Sequence, residues 1–180
     1  MAALAGGAVY VLGGIIVLAA PQKDPFVSFS DYLLEGLNIL SILGVLAGIA
    51  GLYALQKERR ERYGWFGVAS SLVAFIGFAL QLVASVIFLS AGGGVPVGRV
   101  VVLTGALMTL VGVALLGAAI LRRRALPLWY GVLFIVGNLV GLVTFEQQGG
   151  AILLGIVWGV TGYVLLSGRS AAERQPTSAS

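Results

Sequence analysis

The sequence contains neither cysteine nor histidine. This excludes thiol nucleophiles, disulfides, histidine-ligated haem and most zinc sites, because each of them needs one of these two side chains. The Gly-x-Ser-x-Gly nucleophile motif and the Gly-x-x-x-x-Gly-Lys phosphate loop are missing as well. We therefore expect a protein that is not an enzyme and that carries no metal and no cofactor.

Charged residues are scarce. Asp, Glu, Lys and Arg make up 10% of the 180 residues, whereas 59% are apolar or aromatic. The net charge of +4 does not indicate a nucleic-acid partner, because the basic residues sit in short segments after apolar runs. This pattern is typical of a protein whose main partner is the lipid bilayer.

Six almost unbroken apolar runs of 17 to 26 residues account for most of the chain. They span residues 3–20, 32–55, 65–90, 98–121, 129–145 and 150–167. As helices they would extend from roughly 25 to roughly 39 Å, which brackets the hydrocarbon core of a membrane. We therefore predict an all-α bundle of about six transmembrane helices over residues 1–167, followed by a flexible tail at 168–180.

The first run could also be read as a signal peptide, since it ends in Ala19 and Ala20 before Pro21. It has no positively charged start, however, and its 18 apolar residues exceed a usual signal-peptide core. We therefore expect an uncleaved helix.

The distribution of positive charge predicts the orientation. Nine lysines and arginines follow the second, fourth and sixth runs, whereas Lys23 and Arg99 are the two on the other side. By the positive-inside rule the nine are cytoplasmic, so both termini are cytoplasmic in a cell membrane. Arginines expected to set this topology, and able to attract anionic lipid headgroups, are Arg59, Arg60, Arg62, Arg122, Arg123 and Arg124.

An internal repeat is visible in the sequence. With a shift of 64 residues, segments 48–77 and 112–141 match at ten of thirty positions, among them Trp65 with Trp129. A shift of 111 places Gly44, Gly48 and Gly51 of the second run on Gly155, Gly159 and Gly162 of the sixth. We interpret this as a helical hairpin used in parallel, although shared topology and packing rules would also produce some similarity.

Glycines recur at helical spacing in three runs. In lipid, small residues let helices approach closely, and this contact is a main source of helix association. The predicted packing positions are Gly44, Gly48, Gly51, Gly137, Gly141, Gly155, Gly159 and Gly162. We expect them to pack mainly within the chain, with contact to a second copy or a membrane partner protein as the alternative.

Polar side chains inside the runs lie at similar depth, roughly 5 to 14 Å from the predicted outer end of their helices. The candidate residues for binding a ligand or an ion are Glu35, Asn38, Gln81, Ser85, Thr104 and Asn138. One interpretation is an outward-facing polar pocket with Glu35 as its acid, as in a small transporter or channel. The other is that the amides are interhelical hydrogen bonds in a structural or accessory membrane protein, which we prefer on sequence grounds.

Overall fold

The computed structural model describes residues 1–58, 60–123, 126–144 and 149–173. Within these ranges the chain forms six α-helices and no strand. The helices are α1 (Ala2–Ala19), α2 (Phe29–Glu58), α3 (Arg60–Ala91), α4 (Pro96–Arg123), α5 (Leu128–Val143) and α6 (Gly150–Glu173). The predicted all-α bundle is confirmed.

Five of these helices are long and apolar enough to cross a membrane. The candidate spans are Ala2–Ala19, Phe29–Ala54, Trp65–Ala91, Pro96–Arg122 and Gly150–Ser167. α5 is equally apolar but shorter, since its 16 residues extend about 24 Å. These helices make the chain a multi-pass membrane protein.

Several helices run beyond the apolar segments that predicted them. α2 continues to Glu58, α4 continues to Arg123, and α3 already begins at Arg60. Lys, Glu and Arg are good helix formers, so a polar end does not stop a helix. For the same reason α6 includes residues 168–173, which we had predicted as the start of the flexible tail. Residues 174–180 of that tail lie outside the described residues.

The helices form a closed ring. Each contacts its neighbours along the chain, α1 contacts α6, and α2 touches α6 beside α1. Neighbouring helices are antiparallel: along α1, Gly6 lies against Gly44 and Gly13 against Leu37, and the contacts of α4 with α3 run in the same reversed order. One end of the bundle therefore carries segment 20–28 and the α3–α4 turn at 92–95, and we call it the Asp31 end. The opposite end, where α2 ends and α3 begins, is the arginine end.

The closest contacts place α1 between α2 and α6. A Cβ atom on Gly6 would lie 2.6 Å from the Cα of Gly44 in α2, and one on Gly7 would lie 2.5 Å from the nitrogen of Gly159 in α6. Two adjacent glycines of α1 therefore bring its backbone against one glycine-bearing helix on each side. Any side chain at Gly6 or Gly7 would separate the helices.

The other predicted packing glycines also lie at contacts within the chain. A Cβ on Gly155 would meet the backbone of α1, and one on Gly162 would meet Leu4. Of the predicted packing glycines, only Gly159 has open space at its own Cβ position, so it contributes through its backbone. The remaining contacts are Gly48 with Ala3 and Trp158, Gly51 with Leu165, Gly137 with Val157, and Gly141 with Leu154.

The contacts of the glycines agree in part with the predicted sequence repeat. Gly48 and Gly112, which correspond under the shift of 64, each lie against an alanine of the preceding helix, Ala3 and Ala74 respectively. Under the shift of 111, however, the glycines of α6 face α1 rather than α5. The parallel hairpin repeat stays a prediction.

Four aromatic side chains fill the centre of the bundle. Phe78, Tyr130, Phe134 and Trp158 are all fully buried. The ring centres of Phe78 and Phe134 lie 5.8 and 5.5 Å from that of Trp158, both nearly perpendicular to it. Edge-to-face packing of this kind is the favourable arrangement of aromatic rings. We call these four residues the aromatic plug.

Candidate functional site

A cavity of about 490 Å³ opens into the Asp31 end of the bundle. Every helix contributes to its wall, as does segment 20–28. Most of the lining is apolar and includes Tyr10, Phe88 and Leu154. A space of this size and character falls in the usual range for sites that bind small molecules.

Four of the six predicted binding residues line this cavity. Glu35 and Asn38 reach it from α2, and Gln81 and Ser85 reach it from α3. The two helices are neighbours, and the Asn38 amide donates a hydrogen bond to the Ser85 hydroxyl at 3.2 Å. The polar faces of α2 and α3 therefore meet at one site.

Thr104 and Asn138 do not belong to the cavity wall. Thr104 is exposed on α4, and its hydroxyl donates to the carbonyl of Val100 at 2.9 Å. A threonine whose hydroxyl bonds to a carbonyl of its own helix can face lipid. The depth of Thr104 along α4 therefore did not show to which side of the helix it points. Asn138 is fully buried in α5, where its amide donates to the carbonyl of Phe134 at 2.7 Å.

The Glu35 carboxylate is the central polar group of the cavity. Its residue is only 6% exposed, and one oxygen, Oε2, accepts a hydrogen bond from the Gln22 amide at 3.3 Å. The other oxygen, Oε1, is buried and has no hydrogen-bond partner among the described atoms. The same holds for Oδ1 of Asn38, one helical turn further along α2. Two acceptors in one cavity wall therefore lack donors.

Gln81, unlike Glu35, has a hydrogen-bond partner on a neighbouring helix. Its amide donates to the hydroxyl of Thr109 in α4 at 2.8 Å, and Thr109 is fully buried. This contact joins α3 to α4 where Gly77 and Gly105 let their backbones approach. Sequence reasoning named Gln81 but missed Thr109, which lies deeper in its apolar run.

Segment 20–28 forms part of the cavity rim, and sequence reasoning missed its role. The Gln22 amide donates to Glu35 and also to the carbonyl of Asp31, at 3.1 Å. Gln22, Lys23, Asp24 and Phe26 all line the cavity. The segment is therefore structured and contacts the acid directly.

Asp31 holds the segment in place. Its carboxylate accepts from the backbone nitrogens of Lys23, Val27 and Ser28 at 3.0, 2.9 and 2.8 Å, and from the Ser28 hydroxyl at 2.8 Å. The bond back to the Ser28 nitrogen is half of a capping box at the start of α2. The sequence Ser28-Phe29-Ser30-Asp31 was the signal that could have revealed this.

The α3–α4 turn ties down the other side of the segment. Asp24 forms an ion pair with Arg99 at 2.7 Å and accepts a hydrogen bond from the Gly94 nitrogen, while Phe26 donates to the carbonyl of Gly92 at 2.8 Å. Gly92, Gly93 and Gly94 have φ angles of 73, 79 and 70°, which glycine adopts without strain. The three glycines thus shape a turn that binds segment 20–28.

The aromatic plug lies beneath the cavity. Gly141 of α5 and Leu154 of α6 pack against each other and line the cavity. Phe134 and Trp158 lie on the same two helices, further from the Asp31 end. Trp158 packs edge to face against both Phe78 and Phe134. None of the four plug side chains lines the cavity itself.

Of the predicted lipid-headgroup arginines, Arg122 alone has a described side chain. Arg122 is exposed at the arginine end. Arg59 and Arg124 lie outside the described residues, and the side chains of Arg60, Arg62 and Arg123 lie outside the described side chains. Their interaction with lipid stays a prediction.

Metal coordination finds no support in the described residues, where no group of three or more Asp and Glu side chains lies close enough to hold an ion. No family model, no curated protein and no solved structure gives a significant match to the chain. The function is therefore argued from the geometry of the cavity.

Proposed function

We propose that this membrane protein binds a small amphipathic cation, an alkylammonium or alkylguanidinium, in the cavity at the Asp31 end. The observation that carries the proposal is the pair of buried acceptors, Oε1 of Glu35 and Oδ1 of Asn38, that lack donors within the described chain. A buried acceptor is costly unless a donor satisfies it. A ligand with N–H donors and a positive charge would satisfy both.

The cavity favours an organic cation over a bare ion. Its volume of about 490 Å³ far exceeds that of a monatomic ion, and apart from Tyr10 its polar side chains come from α2, α3 and segment 20–28. An apolar chain would lie against Phe88, Leu103 and Leu154, and the charged head would face Glu35. This division of polar and apolar contacts is typical of small-molecule sites.

Charge supports an orientation in which the cavity opens away from the cytoplasm. Nine of the eleven basic residues follow the second, fourth and sixth apolar runs of the sequence, and by the positive-inside rule the side on which these runs end is the cytoplasm of a cell membrane. The solute would then enter from the outer side. Both chain termini would be cytoplasmic.

A Glu35→Gln variant tests the proposal. Glutamine keeps the size of the side chain and can still accept from Gln22, but it removes the negative charge. We expect isothermal titration calorimetry in detergent to show that butylguanidinium binds the variant about tenfold more weakly or worse, because a hydrogen bond to a charged group is worth about 1.5 to 3 kcal/mol. Butylguanidinium is a suitable probe because a guanidinium keeps its charge at all working pH values.

Thr104→Val provides the matched control, since Thr104 lies at comparable depth but outside the cavity wall. This variant should bind like the wild type. Equal affinity in the wild type and in Glu35→Gln would contradict the proposal. It would favour the structural or accessory role that the sequence first suggested.

A further inference from the structure

One side chain lies both in the cavity wall and on the outer surface of the bundle. Leu103 of α4 lines the cavity, yet it is 63% exposed, whereas Glu35 and Ser85 in the same wall are buried. Leu103 belongs to the candidate membrane span Pro96–Arg122. An exposed leucine within a membrane span faces lipid rather than water. At Leu103 a single side chain therefore separates the cavity from the lipid.

Leu103 lies at the depth of the polar groups of the cavity. α3 and α4 are antiparallel, and a Cβ on Gly98 of α4 would lie 2.6 Å from the ring of Phe88. Leu103 is five residues further along α4, and Ser85 is three residues back along α3, so their depths differ by about 3 Å. The Ser85 hydroxyl accepts the hydrogen bond from Asn38, whose Oδ1 lacks a donor. The thin part of the wall is thus level with the proposed site.

The contacts between α4 and α5 explain why the wall is thin there. Gly117 of α4 lies against Ile135 of α5, and Gly131 of α5 lies against Leu121 of α4. Both pairs lie in the half of the bundle nearer the arginine end, since α4 ends at Arg123. Among the described residues, these pairs are the contacts that the glycines of α4 and α5 make with the other helix.

The same faces of α4 and α5 line the cavity toward the Asp31 end. Leu103, Ala106 and Gly117 form one stripe on α4, because three and eleven residues are close to one and three whole turns. Ile135 and Leu142 likewise lie two turns apart on one face of α5. Leu103, Ala106 and Leu142 line the cavity. The two faces that meet at Gly117 therefore have the cavity between them at the Asp31 end, and we call the space between these three lining residues the α4–α5 cleft.

The side chains of the cleft determine what can occupy it. All three are aliphatic and offer neither donors nor acceptors, so a polar group placed there would lose its hydrogen bonds to water. An alkyl chain would lose nothing, because lipid tails are as apolar as leucine. Polar side chains that line the cavity at its rim are those of Gln22, Lys23 and Asp24.

We infer that the α4–α5 cleft connects the cavity with the lipid, and that the ligand is a long-chain alkylguanidinium or alkylammonium whose chain extends through this cleft into the membrane. The charged head lies at Glu35 and Asn38, and the chain passes Leu103. The inference rests on the proposed function, because it needs the head to bind in the cavity. It adds that the chain can be longer than the cavity.

The length of the alkyl chain tests the inference. The full chain is placed in phosphatidylcholine nanodiscs, and binding of radiolabelled butylguanidinium and dodecylguanidinium is measured, with empty nanodiscs correcting for probe dissolved in lipid. Leu103→Trp puts a larger side chain into the cleft. We expect this variant to bind dodecylguanidinium about tenfold more weakly than the wild type or worse, and butylguanidinium within about twofold, since a four-carbon chain fits inside the cavity.

Leu107→Trp is the matched control, because Leu107 lies one turn further along α4 and is 65% exposed but does not line the cavity. It should bind both probes like the wild type. If the wild type binds butylguanidinium but not dodecylguanidinium, the cleft is refuted while the proposed function stands. Equal affinity of the wild type and Leu103→Trp for dodecylguanidinium, or equal losses in both tryptophan variants, would also refute it. If the wild type binds neither probe, the proposed function and this inference fail together.

Discussion

The two halves of the bundle are made from the same apolar residue types, but their helices pack together to different degrees. At the level of Phe78 and Trp158 the helices meet around fully buried rings, and α1 touches α2 and α6 through glycines. At the Asp31 end the same helices leave a cavity of about 490 Å³ with unsatisfied acceptors in its wall. The difference shows that the packing of rings and glycines closes one half of the bundle, whereas the other half keeps a cavity with Glu35 and Asn38 in its wall.

The largest effect is expected in the closed half. Gly7→Leu would force a side chain into the backbone of α6, since even a Cβ would lie 2.5 Å from the Gly159 nitrogen. Overpacking a tight contact costs about 1 to 3 kcal/mol or more, and here the contacted atoms belong to the backbone rather than to the end of a flexible side chain. We expect loss of the peak of folded protein in detergent size-exclusion chromatography.

Gly36→Leu is the matched control for this variant. Gly36 is also a helical glycine, but it lies near the Asp31 end and has open space at its Cβ position. Its chromatogram should resemble that of the wild type. Comparable loss of folded protein in both variants would contradict the contrast between the two halves.

An intermediate effect is expected at the rim of the cavity. Asp31→Ala removes four hydrogen bonds that hold segment 20–28, but it leaves the helix contacts intact. We expect a destabilisation of about 1 to 3 kcal/mol in thermal unfolding, because the donors it leaves lie near water. Faster trypsin cleavage after Lys23 would show that the segment, rather than the bundle, has loosened.

The smallest effect is expected from the ion pair that joins the segment to α4. Asp24→Asn weakens the contact with Arg99, and both side chains are about half exposed. Exposed ion pairs contribute about 0 to 1 kcal/mol, so the unfolding temperature should hardly change. A decrease in the unfolding temperature as large as that of Asp31→Ala would show that the turn at 92–95, and not the capping of α2, holds the cavity rim in place.

The sequence predicted the helices better than it predicted the site. Long apolar runs imply spanning helices directly, because the bilayer leaves few alternatives for the backbone. Depth along a helix could be read as well, which is why Glu35, Asn38, Gln81 and Ser85 were found. Direction around the axis could not be read for isolated residues, so Thr104 was grouped with them although it is exposed on α4.

The missed elements depend on contacts between distant parts of the chain. Gln22 reaches Glu35 only because Asp31 folds segment 20–28 back over the start of α2. Thr109 pairs with Gln81 because α3 and α4 approach through glycines. Neither pairing follows from local periodicity, since each needs the packed ring of helices.

The most direct test of the account is to compare two ligands of similar size in wild-type protein. Butylguanidinium carries N–H donors and a positive charge, whereas pentanamide carries N–H donors without charge. If the open half of the bundle is a cation site built on Glu35, calorimetry should show butylguanidinium binding about tenfold more tightly or better. Equal affinities, or tighter binding of pentanamide, would contradict it.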